Sequence, residues 1–472
     1  MHQITRGTLI AILLAVTPFA SDAAEAPADR AIAEILGGFV KPGEPGCTVG
    51  VTEGGMLSHA LAFGLSDVER AKPLDTHSTF DLASVSKQFT AFALLLLQQD
   101  GKLSLDDPVV KHLPELAASA KGVTLRHLVH HTGGLRDYIS LITMRGRTNA
   151  DGSTIHESVQ ALARQSRPNA EAGAEYEYSN TGYLLLGVVV ARVSGQSLAQ
   201  FSAERIFRPL GMANTRIVDR YPDGNVTRAR GYANTGKGFA VDETGWEQVG
   251  DGGVQSDLHD LALWDENFYT GKLGGRELIE QMYQVGLLNS GESTEYAAGL
   301  SVEETRGVRL ISHGGSWVGY RSYLLRAPDQ HLSVIVLCNR ADADTGDLAE
   351  RVAGVFLKEK LRPAVADADD EPEAVKPAPP GWQPRDLAHY TGTYYSAEAI
   401  AHCRIYLRDG KLAVEGCAEG AVLKAGRAGE FTDEDESFTL RFPENGGGNG
   451  SFVYDTFGLR SLPFTRVAES SQ

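Results

Sequence analysis

The chain has 472 residues, more than one hydrophobic core usually organises, so more than one domain is expected. Its 42% hydrophobic and 22% charged residues are those of a globular protein without low-complexity bias. A formal charge of -17 argues against nucleic acid and against stable adhesion to anionic membranes, because both need a basic face.

The chain opens "MHQITRGTLIAILLAVTPFASDAAEA". Arg6 is a positive n-region, Thr8 to Val16 an apolar core, and small residues follow to Ala24. That order predicts a secretory signal over residues 1–24 and a periplasmic or secreted protein. The apolar stretch is well short of the ~20 residues that span a bilayer. No stable membrane insertion is expected.

Next, "ADRAIAEILGGFV" carries apolar residues at helical spacing, and Cys47–Thr52 and Leu57–Leu65 read as a hairpin around Gly54-Gly55. Helical patterns fill much of 87–220, including "YLLLGVVVARV", which by length is a buried helix. The segment "LITMRGRTNADGSTIHES" between those helices is expected to border a cleft. "GVRLISHGG", "YRSYLLRAP" and "HLSVIVLCN" then read as three strands, and "DTGDLAERVAGVFLKEKL" returns to helical period.

Residues 362–384 are rich in Pro, Ala and acid with almost nothing to bury, which reads as a linker. From 385 to 472, short strands at regular spacing predict a small antiparallel barrel or sandwich. Four cysteines are too few for a disulfide scaffold. Cys338 ends an apolar run and reads as a plain core residue. Across the turn at Asp409-Gly410, Cys403 would face Gly416, so pairing with Cys417 needs an irregularity in the hairpin.

The chemistry-bearing elements are three. "DLASVSKQF" is the chain's only Ser-x-x-Lys, Ser84 with Lys87, at the head of an apolar run. Chance supplies on the order of one such match per chain of this length, so context must decide. Residues three apart at a helix start share a face. A desolvated lysine loses basicity and can take a serine proton, and the helix N-terminus favours negative charge on the oxygen. The alternative is a capped helix with a surface lysine.

The second element is Tyr-x-Asn. Tyr178-Ser179-Asn180 enters a buried helix that can fix its geometry, whereas Tyr232-Ala233-Asn234 sits in a Gly-rich loop, so the first is preferred. The third is a strand edge with a backbone N–H for a developing oxyanion, and His313-Gly314-Gly315-Ser316 fits it. His131-Thr132-Gly133 reads as a turn between helices, a structural loop flanking the cleft. The adjacent His130 and His131 have no acidic partner motif, so no metal site is expected.

In this order, "FDLASVSKQFTAFALLLLQQDGKLSLDDPVVKHLPE", "TLRHLVHHTGGL", "YEYSNTGYLLLGVVV", "GGVQSDLHDLALW" and "SHGGSWVGY" resemble the beta-lactamase-related serine hydrolases. That superfamily includes class C beta-lactamases, D-alanyl-D-alanine carboxypeptidases, D-aminopeptidases and carboxylesterases. The resemblance implies a mixed α/β (α+β) fold over about residues 25–361: a central antiparallel sheet flanked by helices, a helical subdomain, and a cleft between them. It also implies a lipocalin-like barrel at the C-terminus. By the same resemblance Ser84 is the nucleophile, Lys87 its base, and Tyr178 the group that protonates the leaving atom or activates water. Asn180 would hold the acyl amide or the lysine, and His313, Gly315 and Ser316 would hold substrate, with the backbone N–H groups of Ser84 and Ser316 as the oxyanion hole.

One position departs from many carboxypeptidases and beta-lactamases of the group, where lysine stands at the place of His313. A histidine near its usual pKa is only fractionally charged at neutral pH, which weakens carboxylate recognition and makes His313 a candidate for titration near neutrality. The resulting expectation is an exported serine hydrolase with an acyl-enzyme on Ser84, acting on a small peptide, amide or ester, with a D-amino-acid peptide preferred. The alternatives are a carboxylesterase, a DD-carboxypeptidase or beta-lactamase, and a non-catalytic penicillin-recognising sensor. No cofactor is implied, and oligomeric state is not legible.

Overall fold

Residues 27–221, 227–362, 387–418, 420–426, 429–443 and 450–467 are described by a computed structural model of the chain. The expected signal and residues 363–384 of the expected linker lie outside the described residues.

Helix α1 (Pro27–Gly37) leads into the hairpin β1 (Cys47–Glu53) and β2 (Met56–Phe63). Helices α2 (Lys87–Gln99), α3 (Asn180–Ser194) and α4 (Leu258–Thr270) follow. Strands β3 (Ser301–Thr305), β4 (Val308–Trp317), β5 (Tyr320–Ala327) and β6 (Leu332–Cys338) then precede helix α5 (Thr345–Leu357). The six strands form one antiparallel sheet in the order β3-β4-β5-β6-β1-β2. The early hairpin therefore pairs with the last strand of this sheet, and that closure ties residues 47–63 to residues 332–338.

Both faces of the sheet are covered, which is why β6 is apolar at nearly every position and does not alternate. Val334 and Val336 pack with Ile32 and Leu36 of α1 and with Leu348 and Val352 of α5. Ile335 and Leu337 point the other way, into a core shared with α2 and α3. Every residue of α2 from Lys87 to Leu97 is buried, so its unbroken apolar run belongs to a central helix. Helix α3 is likewise a core helix, as its length indicates.

Cys338 is more than a core residue. It is disulfide-bonded to Cys47, its register partner across β1 and β6. The two are separated by 291 positions in sequence. Spacing within a chain carries no trace of that pairing, so only the sheet reveals it.

The C-terminal strands are β7 (Gly392–Ser396), β8 (Ala401–Arg408), β9 (Lys411–Glu415), β10 (Lys424–Ala425), β11 (Glu430–Thr432), β12 (Phe438–Arg441), β13 (Ser451–Thr456) and β14 (Leu459–Arg466). They run antiparallel in the order β9-β8-β7-β14-β13-β12-β11-β10. Backbone bonds from Leu423 to Leu412 and from Val414 to Ala421 bring the outer strands together, so the barrel is nearly closed. Phe431, Leu440, Phe452, Leu462 and Phe464 are buried in it. Cys403 is bonded to Cys417. The regular pairing ends at Arg404 and Glu415, and Gly416, at φ 85°, turns the chain so that Cys417 returns to Cys403.

The barrel packs on the N-terminal part of the protein through Arg136, whose side chain is fully buried. The guanidinium donates to Glu398, to Gln165 and to the carbonyls of Arg460 and Ser461. Asp137 N–H donates to the Gly458 carbonyl at 2.7 Å, and Asn169 joins both Gly458 and Arg460. A methyl group on Gly458 would lie 2.5 Å from Asp137 Cβ, so glycine is needed at this close approach.

Candidate active site

Ser84 lies in a short 3-10 turn, Ala83–Ser86, that runs directly into α2. The preceding Ala83 has φ 47°, a left-handed conformation that costs a non-glycine residue about 1 kcal/mol or more. Asp81 Oδ1 accepts from the Ala83 N–H at 2.7 Å and holds the turn in that shape. The result presents Ser84 partly exposed while Lys87, three residues on, is wholly buried.

Lys87 Nζ has three acceptors: Ser84 Oγ, Asn180 Oδ1 and the Asp251 carbonyl, each at 2.9 Å. These account for all three ammonium hydrogens. The Nζ also lies 4.9 Å from the centre of the Tyr178 ring. Asn180 is the first residue of α3, and Ser179 caps that helix by accepting from Gly182 N–H. The helix start thus aims Tyr178 and Asn180 into one place. The structure brings Ser84, Lys87, Tyr178 and Asn180 together; the rejected Tyr232 instead donates to Glu69 from a short strand, Tyr232–Asn234.

The third element arrives on β4. A methyl group on Gly315 would sit 2.3 Å from the Leu82 carbonyl, so glycine lets the strand press against the turn that carries Ser84. Strand β3 pairs β4 only from Val308 to Ser312. Beyond it, His313 to Ser316 line an open groove together with Ser84, Tyr178, Asn180 and Tyr296. On the other side of Ser84 lies a more enclosed pocket of about 510 Å³ of empty space, lined by Tyr138, Ile139, Val218, Trp246, Asp251 and Trp317. The two meet at Ser84, Asn180 and Ser316. The segment 141–158 backs this pocket: Trp246 Nε1 donates to Thr148 O, and Gln248 donates to Ser153 and Ser158.

His313 corrects the expectation of titration near neutrality. Burial, with the Lys87 charge second, pushes its pKa down to about 3. Its Nδ1 faces the Gly314 carbonyl at 2.7 Å and so carries the proton, while Nε2 accepts from Tyr296 OH at 2.8 Å. Both nitrogens are engaged within the protein. The ring stays neutral across the physiological range and orients Tyr296.

Three further groups support the site: His131, read from sequence as part of a structural loop, and Tyr296 and Asp251, which sequence reasoning passed over. His131 is buried, its Nδ1 accepting from Ser179 N–H, and its ring lies 4.3 Å from Tyr178 and 4.4 Å from Tyr296. Burial holds it well below the usual histidine pKa, with Lys87 adding to the effect. Tyr296 sits in an unremarkable loop and enters the site through its bond to His313 and its contact with the His131 ring. Asp251 joins Lys87 through its carbonyl and accepts from Tyr138 OH at 2.8 Å through its carboxylate. Burial raises the pKa of that carboxyl. The His-x-Gly at 131 was a signal for the first of these; the other two had none.

Residues 28–357 match the family model described as Beta-lactamase. The chain belongs to the beta-lactamase family. It is a serine hydrolase of that family, with the mixed helix-and-sheet fold and a C-terminal barrel. It is 32% identical over 317 residues to penicillin-binding protein 4* of Bacillus subtilis, covering 62% of this chain and 68% of that one. It is 29% identical over 371 residues to the D-aminopeptidase of Brucella anthropi, covering 78% of this chain and 68% of that one. A match of 29% to the D-aminopeptidase of Cereibacter sphaeroides spans 57% of that protein. Among solved structures, the octameric penicillin-binding protein homologue of Pyrococcus abyssi shares the fold with a TM-score of 0.61 at 22% identity, over 93% of this chain and 98% of that one. The D-amino acid amidase of Ochrobactrum anthropi SV3, complexed with L-phenylalanine amide, has a TM-score of 0.59 at 23% identity, over 71% and 99%.

Proposed function

We propose that this protein is an exported hydrolase that cleaves an amide bond in small substrates containing a D-amino acid, through an acyl-enzyme on Ser84. The observation that carries the reading is the contact of a buried lysine amine, 2.9 Å away, with an accessible serine hydroxyl. Loss of one proton from Lys87 leaves two hydrogens for Asn180 Oδ1 and the Asp251 carbonyl, and turns the lone pair toward Ser84 Oγ. The amine then accepts the hydroxyl proton as Oγ attacks the substrate carbonyl. The carbonyl oxygen is held by the backbone N–H groups of Ser84 and Ser316 as it gains charge. Tyr178 hands a proton to the departing nitrogen and is resupplied by Lys87, and water then cleaves the acyl-Ser84 bond by the reverse transfers.

The substrate backbone lies along His313–Ser316, the stretch of β4 beyond its pairing with β3, as an added strand. A neutral His313 offers a substrate carboxylate no charge, which favours an aminopeptidase or amidase over a carboxypeptidase or beta-lactamase. The same neutrality keeps a carboxylester as the second reading. The D-aminopeptidase relatives support the preferred substrate class. Two disulfides suit an oxidising compartment and support export. The test is turnover of D-amino-acid amides, their L-enantiomers, D-Ala-D-Ala peptides, a chromogenic cephalosporin and short esters. Preference for the D-amides supports the reading; turnover of esters alone replaces it with the second.

A further inference from the structure

Phe457 occupies the turn between β13 and β14 and is 68% exposed. A ring carried on a firmly held turn keeps a fixed position. This turn is held. The Phe457 carbonyl accepts from Ser140 Oγ, the Gly458 carbonyl accepts from Asp137 N–H and Asn169 Nδ2, and Arg460 N–H donates to Asn169 Oδ1. Arg460 further pairs with Glu175 and Glu177, which flank Tyr176 in sequence. Phe457 and Tyr176, the latter 40% exposed, both line the open groove that contains Ser84.

We propose that the barrel forms part of the substrate site: Phe457, with Tyr176, walls the subsite for the leaving half of the substrate and selects leaving groups that carry an apolar or aromatic moiety. This rests on the hydrolase reading of Ser84 given above. The side is assigned by Tyr178. A group that protonates the leaving atom must stand on the leaving side, and Tyr178 lines the open groove with Phe457 and not the enclosed pocket. The acyl half then faces the enclosed pocket. An exposed aromatic pair offers stacking and apolar contact to a ring, and little to ammonia or a short alcohol.

The test uses the full chain and two probes with the same acyl half, D-alanine anilide and D-alanine amide. In Phe457→Ala the anilide-to-amide ratio of kcat/KM falls about three- to tenfold, and Phe457→Tyr restores it. The ratio of dissociation constants for the two probes, measured on Ser84→Ala protein with and without Phe457→Ala, shifts by the same factor. An unchanged ratio overturns the proposal, whether both probes weaken together or neither does. Labelling of Ser84 by a fluorophosphonate is scored separately. If it fails while the binding ratio still depends on Phe457, the subsite stands and the hydrolase reading falls.

Discussion

Lys87 Nζ and Ser84 Oγ stand 2.9 Å apart, the lysine wholly buried and the serine open to the cleft. A hydrogen bond between these groups has chemical consequence because the remaining amine hydrogens are held by Asn180 and the Asp251 carbonyl. Replacing Lys87 by Ala removes the proton acceptor and should slow acylation by about a thousandfold or more, since such residues act as a unit. Lys87→Arg should not rescue, because a guanidinium cannot give up its proton in this range. Single-turnover acylation rates decide, and a rate within tenfold of wild type in either variant would remove the lysine from its role.

His313 should impose no titration on catalysis between pH 5 and 8, because its pKa lies near 3. His313→Gln is expected to lower kcat/KM through loss of the Tyr296 contact while leaving the shape of the pH profile in that window unchanged. A limb near pH 6.5 that disappears in the variant would show that the ring titrates.

The same burial predicts acid lability. His130 and His313 have folded pKa values of about 4 and about 3 against an ordinary 6.5. Between those values and 6.5 the unfolded chain binds protons that the folded protein refuses, so stability present above pH 6.5 is lost as pH falls. Asp137, raised to about 6 by burial, acts with opposite sign between 3.8 and 6 and offsets part of the loss. The net change from pH 7 to pH 4 should be a few kcal/mol of destabilisation, read from urea midpoints. A flat profile would contradict the neutral buried rings.

Arg136 predicts how firmly the barrel is attached. Its side chain is buried and its carboxylate partner is Glu398 from the barrel. Glu398→Ala leaves the guanidinium, among the described residues, hydrogen-bonded to Gln165 and two carbonyls, at a cost of about 3 kcal/mol. A lower melting temperature would be the readout. An unchanged melting temperature would mean the interface does not depend on this pair.

Much of this was legible in sequence, because local patterns report local geometry. Ser84 and Lys87 share a turn, Tyr178 and Asn180 share a helix start, and the apolar run of α2 announces burial. Helix α5 follows its helical period, and strands β4 to β6 follow their apolar runs and the turns between them. What stayed hidden depends on contacts between distant segments. Cys47 and Cys338 meet only because the first and last strands of the sheet pair. Tyr296 matters because His313 and His131 meet it, and Asp251 because its carbonyl meets Lys87. The neutrality of His313 is set by the walls around it, which residue type alone does not convey. Phe457 is one phenylalanine among seventeen until the barrel is docked.

The most direct test is where and how fast a small fluorophosphonate attaches, followed by intact mass and peptide mapping. A single adduct on Ser84, absent in Ser84→Ala and slowed at least about a thousandfold in Lys87→Ala, is the expected result. An adduct on another residue, or wild-type labelling of Ser84 without Lys87, would contradict it.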